Sequence, residues 1–338
     1  MNKSDDWLAQ GHEEVLEPDL PIVDPHHHLW THAGPGFYLV PDLWLDTGSG
    51  HRIEQTVFIQ CGTNMRKEGP PELRSVGETE FVVGQAVEAA QGPADAARIS
   101  GIVAFADLRL GAAVDPVLEA HLEAGNGLLR GIRNAAAWDE TGTVKTSFPG
   151  GPPHLYADAD FREGFARLSA YGLSYDAWHY HPQTPELTDL ARAFPETTIV
   201  LDHLGGVLGV GAYADRRADV FEDWKTAMAE LAQCRNVMVK LGGMAMPLSG
   251  FGWEQRERPV TSDEFVEAQQ DFYLYAIEQF GPQRCMFESN FPVDKASLSY
   301  RTLWNAFKKI AAGFSVDEKA ALFRDTAMRV YRLTPNIK

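Results

Sequence analysis

Residues 21–30 read PIVDPHHHLW, a short apolar strand that leads directly into three consecutive histidines. Similar apolar runs recur along the chain, separated by longer amphipathic stretches, which is typical of strand–helix units around a parallel sheet. The predicted strands are PIVD (21–24), TVFIQC (56–61), GIVAFAD (101–107), LLRGIR (128–133), GLSYDAW (172–178), TIVLDH (198–203), NVMVKL (236–241) and RCMFES (284–289). Eight such units favour an α/β fold of the closed (β/α)8 TIM-barrel type over an open doubly wound sheet.

The stretches between the strands carry the apolar spacing of helices. The predicted helices span 77–90, 115–124, 161–171, 185–194, 219–234, 262–280 and 315–333. Segments 31–52 and 139–159, rich in Gly, Pro, Thr and aromatic residues, follow the first and fourth strands, so we expect them to form a partial lid over the C-terminal face of the barrel. No GxGxxG or GxxxxGK[ST] motif follows a strand, which argues against a nucleotide-binding fold.

Composition restricts the class of protein further. The chain has 338 residues, 44% of them hydrophobic, and we expect one domain over 1–338 with 1–19 as an N-terminal extension. A formal net charge of −17 disfavours nucleic acid and anionic membranes as partners. The acidic N-terminus and the lack of a long apolar run predict a cytoplasmic protein that acts on a small molecule, with homo-oligomerisation left open. Cys61, Cys234 and Cys285 are scattered, so we expect free thiols.

The histidines after the first strand are the strongest indication of chemistry. In an extended strand alternate side chains share a face, so Asp24, His26 and His28 are predicted to point together and His27 to point away. Two imidazoles at the end of a barrel strand can converge on one metal ion or one developing oxyanion. We therefore expect His26 and His28 to belong to the active site, with His27 outside it.

The segment TIVLDHLGG (198–206) places His203 at the end of another strand, followed by a glycine pair. A histidine in this position lies on the catalytic face of a barrel, and the glycines permit a close approach of backbone or ligand. The alternative is that His203 only caps the following turn. We favour the first interpretation and group His203 with His26 and His28.

The last predicted strand ends in ESNFPVDK (288–295), which offers Glu288, Asn290 and Asp294. A carboxylate beside an imidazole cluster is suited to act as a general base toward water. Asp294 lies several residues past the strand, so it is predicted as that base, or alternatively as an ion-pair partner of Lys295 or a helix N-cap.

Other polar side chains near strand ends are candidates for substrate binding. Arg130 and Arg133 are three residues apart and so face opposite sides of a strand, which lets only one of them reach a substrate. His179 and His181 are predicted to share a face. Each of these residues has a structural alternative as an ordinary hydrogen-bonding or ion-pairing group. The candidates for substrate contact are Gln60, Arg133, His179, His181 and Lys240.

The motifs DPHHHLW, GLLRGIR, LDHLGG, VKLGG and SNFPVD occur in this order, and with them the chain resembles the amidohydrolase-2 family over about residues 20–333. Within that family it is most similar to the lactonase group that includes 2-pyrone-4,6-dicarboxylate lactonase and sugar-acid lactonases. The resemblance matches Asp24, His26 and His28 to the family motif DxHxH, and His203 to the histidine of the sixth strand. It implies one divalent metal ion, most often zinc, held by His26, His28 and His203, or a metal-free site as in some relatives.

The chain departs from the family pattern in two places. Relatives commonly carry an [ST]DWP-type motif after the eighth strand, and its Asp is the general base, whereas this chain has Ser289-Asn290-Phe291-Pro292. An asparagine cannot accept a proton from water, so either Asp294 has taken over this role, another group serves, or the reaction differs from ordinary ring hydrolysis. The residues predicted to be catalytic are His203, Asp294 and Asn290. No lysine ends the fourth or fifth strand, which leaves no source for a carbamylated lysine bridging two metals.

These residues predict a hydrolase that opens a lactone or related ester or amide bond of a small, carboxylated substrate, with the carbonyl polarised by the histidines or by one metal ion. The alternative is a metal-dependent, non-oxidative decarboxylase of the same family, because protonation of carbon tolerates the loss of the eighth-strand Asp. A barrel that binds without catalysis is disfavoured, because burying unpaired imidazoles is costly.

Overall fold

The computed structural model describes residues 5–31, 37–144 and 150–335. Its centre is one sheet of eight parallel strands that pair in sequence order. The strands are β1 (Pro21–His27), β2 (Arg52–Ile59), β3 (Arg98–Ala104), β4 (Leu129–Arg133), β5 (Ser174–Ala177), β6 (Ile199–Leu201), β7 (Val237–Leu241) and β8 (Cys285–Phe287). A parallel bridge between His27 and Phe291 joins the end of β1 to the segment that follows β8. The predicted (β/α)8 barrel is confirmed.

Alternation along the strands separates two apolar layers. Val23, Val57, Val103 and Val200 belong to a cluster inside the barrel, whereas their sequence neighbours pack against the surrounding helices. The chain's C-terminal segment closes one end of this interior, because Tyr331 and neighbouring apolar residues join the same cluster. The other end, where the strands terminate, is left for the polar side chains described below.

The α-helices are Asp5–Ala9, Val40–Thr47, Val76–Ala90, Asp115–Ala124, Ala159–Arg167, Thr184–Ala193, His203–Gly206, Arg217–Leu231, Ser262–Phe280, Tyr300–Ile310, Val316–Ala320 and Thr326–Val330. Six of the predicted helices are found near their expected positions. The predicted helix 315–333 is interrupted by a π-helical turn, Ala321–Asp325. The helix Tyr300–Ile310 was not predicted; Ser299 caps its first turn by accepting a hydrogen bond from the backbone of Thr302.

The predicted lid is only partly a loop. Residues 32–36 and 145–149 of it lie outside the described residues. Within 31–52, the helix Val40–Thr47 buries Val40 and Leu43, so this part of the segment is packed structure. In 139–159, Gly150 and Gly151 run close beside the backbone that follows β4.

The N-terminal residues pack against late helices, since Glu13 accepts hydrogen bonds from Ser262 and Asn305. Among the helices in the described ranges, none is long and apolar enough to cross a membrane. All three cysteines are free thiols, as predicted.

Candidate active site

A cavity of about 310 Å³ opens where the strands end, a size suited to a small-molecule ligand. Side chains from several strand ends and loops form its wall, as expected for the catalytic face of a barrel. Among its described lining residues there is no carboxylate. The lining includes His28, Gln60, Arg133, Trp178, His203 and Asn290.

The end of β1 is irregular, and this changes which side chains converge. The pairing with β2 shifts between Asp24 and His27. Asp24 accepts hydrogen bonds from Ser289 N at 3.0 Å and Tyr300 Oη at 2.9 Å, so the prediction that it points with the two histidines was wrong. His27 turns away as predicted, with its Nε2 3.1 Å from Thr56 Oγ1.

His26 and His28 lie together, with their Nε2 atoms 3.3 Å apart. Because the Ile59 carbonyl can only accept, the 2.8 Å contact from His28 Nδ1 fixes a proton on that nitrogen. His28 Nε2 is then the acceptor and His26 Nε2 the donor. Burial, reinforced by the charge of Lys240, lowers the pKa of His26 to about 4, so the ring is neutral and its Nδ1 carries a lone pair.

Lys240 lies fully buried on β7 beside that lone pair. Its Nζ is 3.2 Å from His26 Nδ1, 2.7 Å from Asp176 Oδ2 and 3.0 Å from Asp202 Oδ1. Burial alone would lower the pKa of Lys240, but the two carboxylates outweigh it and raise that pKa. Lys240 was predicted to bind substrate; the structure instead encloses it in a charge network that does not line the cavity.

The pKa values of the two carboxylates in this network are shifted in opposite directions. Burial raises the pKa of Asp176 to about 6, against the opposing effect of Lys240. For Asp202, the combined effect of Lys240, His26 and Arg133 overcomes burial and holds the pKa well below its usual range. Asp176 also accepts a hydrogen bond from Tyr331 Oη at 2.7 Å, which links the network to the C-terminal segment.

His203 lies on the cavity wall in a left-handed conformation, with φ of +55°. This backbone geometry is uncommon for a residue with a side chain and concentrates at functional sites. Gly243 makes room for the ring, because a Cβ atom there would lie 2.4 Å from His203 Nδ1. The alternative interpretation from the sequence, that His203 only caps the following turn, does not explain why Gly243 leaves room for its ring.

Glu288 follows β8 and holds His203 in place. Its Oε1 is 2.6 Å from His203 Nδ1 and also accepts from the backbone N–H of the same residue at 3.1 Å. Although burial raises it, the interactions with His203 and His26 hold the pKa of Glu288 at about 2. The second oxygen, Oε2, is buried without a hydrogen-bond donor among the described residues. It lies 2.8 Å from His26 Nδ1, whose lone pair faces Lys240.

Asn290 lines the cavity, and Asp294 stands behind it. Asn290 Nδ2 donates to Asp294 Oδ1 at 2.9 Å, and Asp294 Oδ2 accepts from Ala245 N at 3.3 Å. Burial raises the pKa of Asp294 to about 7. Asp294 is fully buried and outside the cavity lining, so its contact with the site runs through Asn290. Lys295 pairs with Asp46 instead.

The two arginines of β4 diverge as predicted. Arg133 lines the cavity, donates from Nε to Gln60 Oε1 at 3.0 Å and from Nη2 to the Gln60 carbonyl, and contacts Asp202 Oδ2 from Nη1 at 3.3 Å. Arg130 instead donates to the backbone carbonyls of Gly127 and Ser100. Of the five N–H groups of Arg133, these contacts use three.

His179 and His181 were predicted to share a face and contact substrate, but neither is in the cavity lining. His179 contacts Tyr156 Oη at 3.1 Å and Thr184 Oγ1 at 3.2 Å. His181 Nδ1 accepts from Leu208 N at 3.2 Å. Strand β5 ends at Ala177, so the alternation on which the shared face depended no longer applies.

The three histidines predicted to hold a metal are close together, with the His26 and His203 rings 4.4 Å apart between centroids. Among the described residues, the cluster whose donor atoms all lie within 4.8 Å of one another is His26, Asp202 and His203. Its composition of two imidazoles and a carboxylate is one that zinc accepts. In this arrangement the cluster does not fit a metal ion, because the Lys240 ammonium already donates hydrogen bonds to His26 Nδ1 and Asp202 Oδ1.

Sequence reasoning did not assign a role to Asp202, Asp176 or Trp178. Asp202 immediately precedes His203 at a strand end, a position that could have drawn attention to it. Asp176 lies inside a strand, and only its alternation toward the barrel interior would have identified it.

Comparison with known proteins gives consistent results. The sequence model of the family described as Amidohydrolase matches residues 23–333. The L-fucono-1,5-lactonase of Burkholderia multivorans is 30% identical over 319 residues, which cover 92% of this chain and 96% of that protein. The uncharacterized protein y4mH of Sinorhizobium fredii is 34% identical over 338 residues, covering 93% and 99% respectively.

Solved structures share the fold. An amidohydrolase from Burkholderia multivorans with bound HEPES has a TM-score of 0.72 at 24% identity, covering 93% of this chain and 99% of that one. A second crystal form of it, with bound zinc, has a TM-score of 0.71 at 24% identity and the same coverage. A putative 2-pyrone-4,6-dicarboxylic acid hydrolase from Pseudomonas putida has a TM-score of 0.58 at 17% identity, covering 93% and 98%.

Proposed function

Since the chain belongs to the amidohydrolase family and is an enzyme of the hydrolase type, we propose that it opens the lactone ring of a small polyhydroxylated acid. The observation that carries this proposal is that His203, on the cavity wall, is paired with the buried Glu288, with 2.6 Å between Nδ1 and Oε1. A carboxylate-bound imidazole is a suitable general base for water. The full-length similarity to an L-fucono-1,5-lactonase supports the choice of a lactone.

His203 carries the proton in this scheme. With its Nδ1 proton held by Glu288, the ring presents Nε2 as the nitrogen available to a water molecule in the cavity. Nε2 takes a proton from the water as the water oxygen attacks the lactone carbonyl. The imidazolium then gives that proton to the ring oxygen as the carbon–oxygen bond breaks, which leaves the open-chain hydroxy acid. Glu288 stabilises the imidazolium while it exists.

Arg133 and Asn290 assist the reaction. Attack on the carbonyl creates a negative oxygen, and Arg133 has N–H groups left to stabilise it beyond those used by Gln60 and Asp202. Asn290 presents its amide to the same cavity and is held by Asp294. We assign Asp294 a positioning role through Asn290 in place of the base role predicted from the sequence, because it lies outside the lining.

The cavity supports a compact substrate. Its volume of about 310 Å³ lies at the lower end of the range for ligand sites. Trp178 and Met246 offer apolar surface to the carbon face of a ring, and Gln60 offers a polar contact to hydroxyl groups.

The test is a panel of sugar-acid 1,5- and 1,4-lactones assayed by acid release with a pH indicator, using the wild type, His203→Asn and His27→Gln. Asparagine is chosen because it tolerates a left-handed backbone. We expect turnover of at least one lactone by the wild type and by His27→Gln, and its loss in His203→Asn. If no lactone is opened, or if His203→Asn retains the wild-type rate, the proposal is wrong.

The alternative function is non-oxidative decarboxylation, and the observation that favours it is Asn290 in place of the family's Asp. The same preparations are therefore tested for carbon dioxide release from hydroxybenzoates. Our proposal expects none. Decarboxylation without lactone opening would reverse the assignment.

A further inference from the structure

The Lys240 ammonium contacts two residues of the candidate metal cluster. It is 3.2 Å from His26 Nδ1 and 3.0 Å from Asp202 Oδ1, two members of the cluster His26, Asp202 and His203. Lys240 and Asp202 are both fully buried, so solvent does not screen this contact. A positive charge is therefore already built into the cluster by the chain itself.

The hydrogen bonds of Lys240 are complete. An ammonium has three N–H donors, and Nζ contacts three acceptors, namely His26 Nδ1, Asp202 Oδ1 and Asp176 Oδ2. The proton order along the two histidines agrees, since the Ile59 carbonyl fixes His28 and His28 fixes His26 so that Nδ1 faces Lys240 as an acceptor. A metal ion bound through His26 Nδ1 would therefore have to displace the hydrogen bond from Lys240.

We propose that the Lys240 ammonium occupies the cation position of the cluster formed by His26, Asp202 and His203 and keeps divalent metal ions from binding there. A zinc ion bonded to His26 Nδ1 and Asp202 Oδ1 at about 2.1 Å would lie within about 5 Å of Nζ. In a buried site two such charges repel strongly. The proposal concerns only the occupant of the cluster and does not depend on which substrate the enzyme takes.

The experiment measures zinc binding by the metal-stripped protein, with a chromophoric chelator as competitor. The variant is Lys240→Met combined with Asp176→Asn, which removes one positive and one negative charge and leaves all three cluster residues in place. Because the net charge is unchanged, a gain in affinity reports the position of the ammonium. We expect about one zinc per chain in the variant, bound at least about a hundredfold more tightly than in the wild type. Cobalt substitution should give the variant the absorption bands of a tetrahedral site.

Two control variants separate the explanations. Lys240→Arg keeps a cation at the position and should gain no affinity. Lys308→Met removes another buried lysine, whose Nζ lies 2.8 Å from His51 Nδ1. Lys308 also donates to backbone carbonyls, those of Leu16 and Glu17, where Lys240 donates to carboxylates. This variant should gain none either.

The proposal fails if the double variant, folded by circular dichroism, binds zinc no more tightly than the wild type, or if Lys308→Met gains as much. The zinc affinity of the wild type tests the proposal even if the double variant does not fold. One zinc bound with Kd below about 1 µM, and lost in His26→Gln, would show that Lys240 does not hold the position. Binding weaker than this in the wild type is the result that the proposal requires.

Discussion

Replacing Glu288 with Gln should reduce turnover while leaving substrate binding almost unchanged. The carboxylate lies 2.6 Å from His203 Nδ1, and both side chains are buried. When His203 takes a proton from water, its charge centre lies about 4 Å from the carboxylate, which corresponds to about 4 kcal/mol at an effective dielectric constant of about 20. Glutamine lacks that charge, so we expect kcat to fall by about 10³. KM should change little, because Glu288 is not in the described cavity lining.

The assay is steady-state lactone hydrolysis at saturating substrate, with folding checked by circular dichroism. Glu13→Gln is the control, because Glu13 also accepts hydrogen bonds from a serine but holds the N-terminal segment away from the cavity. It should keep the wild-type kcat. A Glu288→Gln enzyme that retains more than about a third of the wild-type kcat would refute the role of the pair, since that loss amounts to less than about 1 kcal/mol.

Three further predictions follow from the same geometry. His27→Gln should keep kcat within about twofold of wild type in the hydrolysis assay, because the ring is turned away from the cavity; a loss equal to that of His203→Asn would contradict this. Gly243→Ala should lower kcat by at least about tenfold, because the new Cβ displaces the His203 ring. Gly252→Ala has the same left-handed backbone but open space around it and should not lower kcat. The pKa of Asp294 is about 7 in the folded protein and 3.8 in the unfolded chain. The protonated carboxyl therefore contributes its full stabilisation of the folded state below pH 3.8, and this contribution is lost as the pH rises to about 7. That loss is about 4 kcal/mol. In urea unfolding Asp294→Asn should therefore gain stability relative to wild type over this interval, and parallel curves for the two proteins would exclude the raised pKa.

The barrel could be predicted from the sequence because each strand is a short apolar run at a regular interval, a pattern that depends only on nearby residues. The positions of His28, Gln60, Arg133 and His203 at the cavity followed from the same reasoning, since strand ends meet at one face. The helix Val40–Thr47 was missed because its eight residues are flanked by Gly and Pro and resemble a loop.

The environment of the histidines could not be predicted in this way. A register shift in β1 turns Asp24 toward Ser289 and Tyr300, and no local pattern announces such a shift. The contact of Lys240 with His26 joins residues 214 positions apart. Whether a strand-end lysine meets substrate or buried acids depends on which side chains the closed barrel brings opposite it. Here Asp176 and Asp202 are those side chains.

Lactone hydrolysis by His203→Asn and by the wild type, with both proteins stripped of metal and assayed in the presence of a chelator, tests whether His203 is the general base. We expect the wild type to open a sugar-acid lactone under these conditions and His203→Asn, folded to the same extent, to lose at least about 10² in kcat. Equal rates for the two proteins, or no ring opening by the wild type on any lactone of the panel, would contradict this expectation.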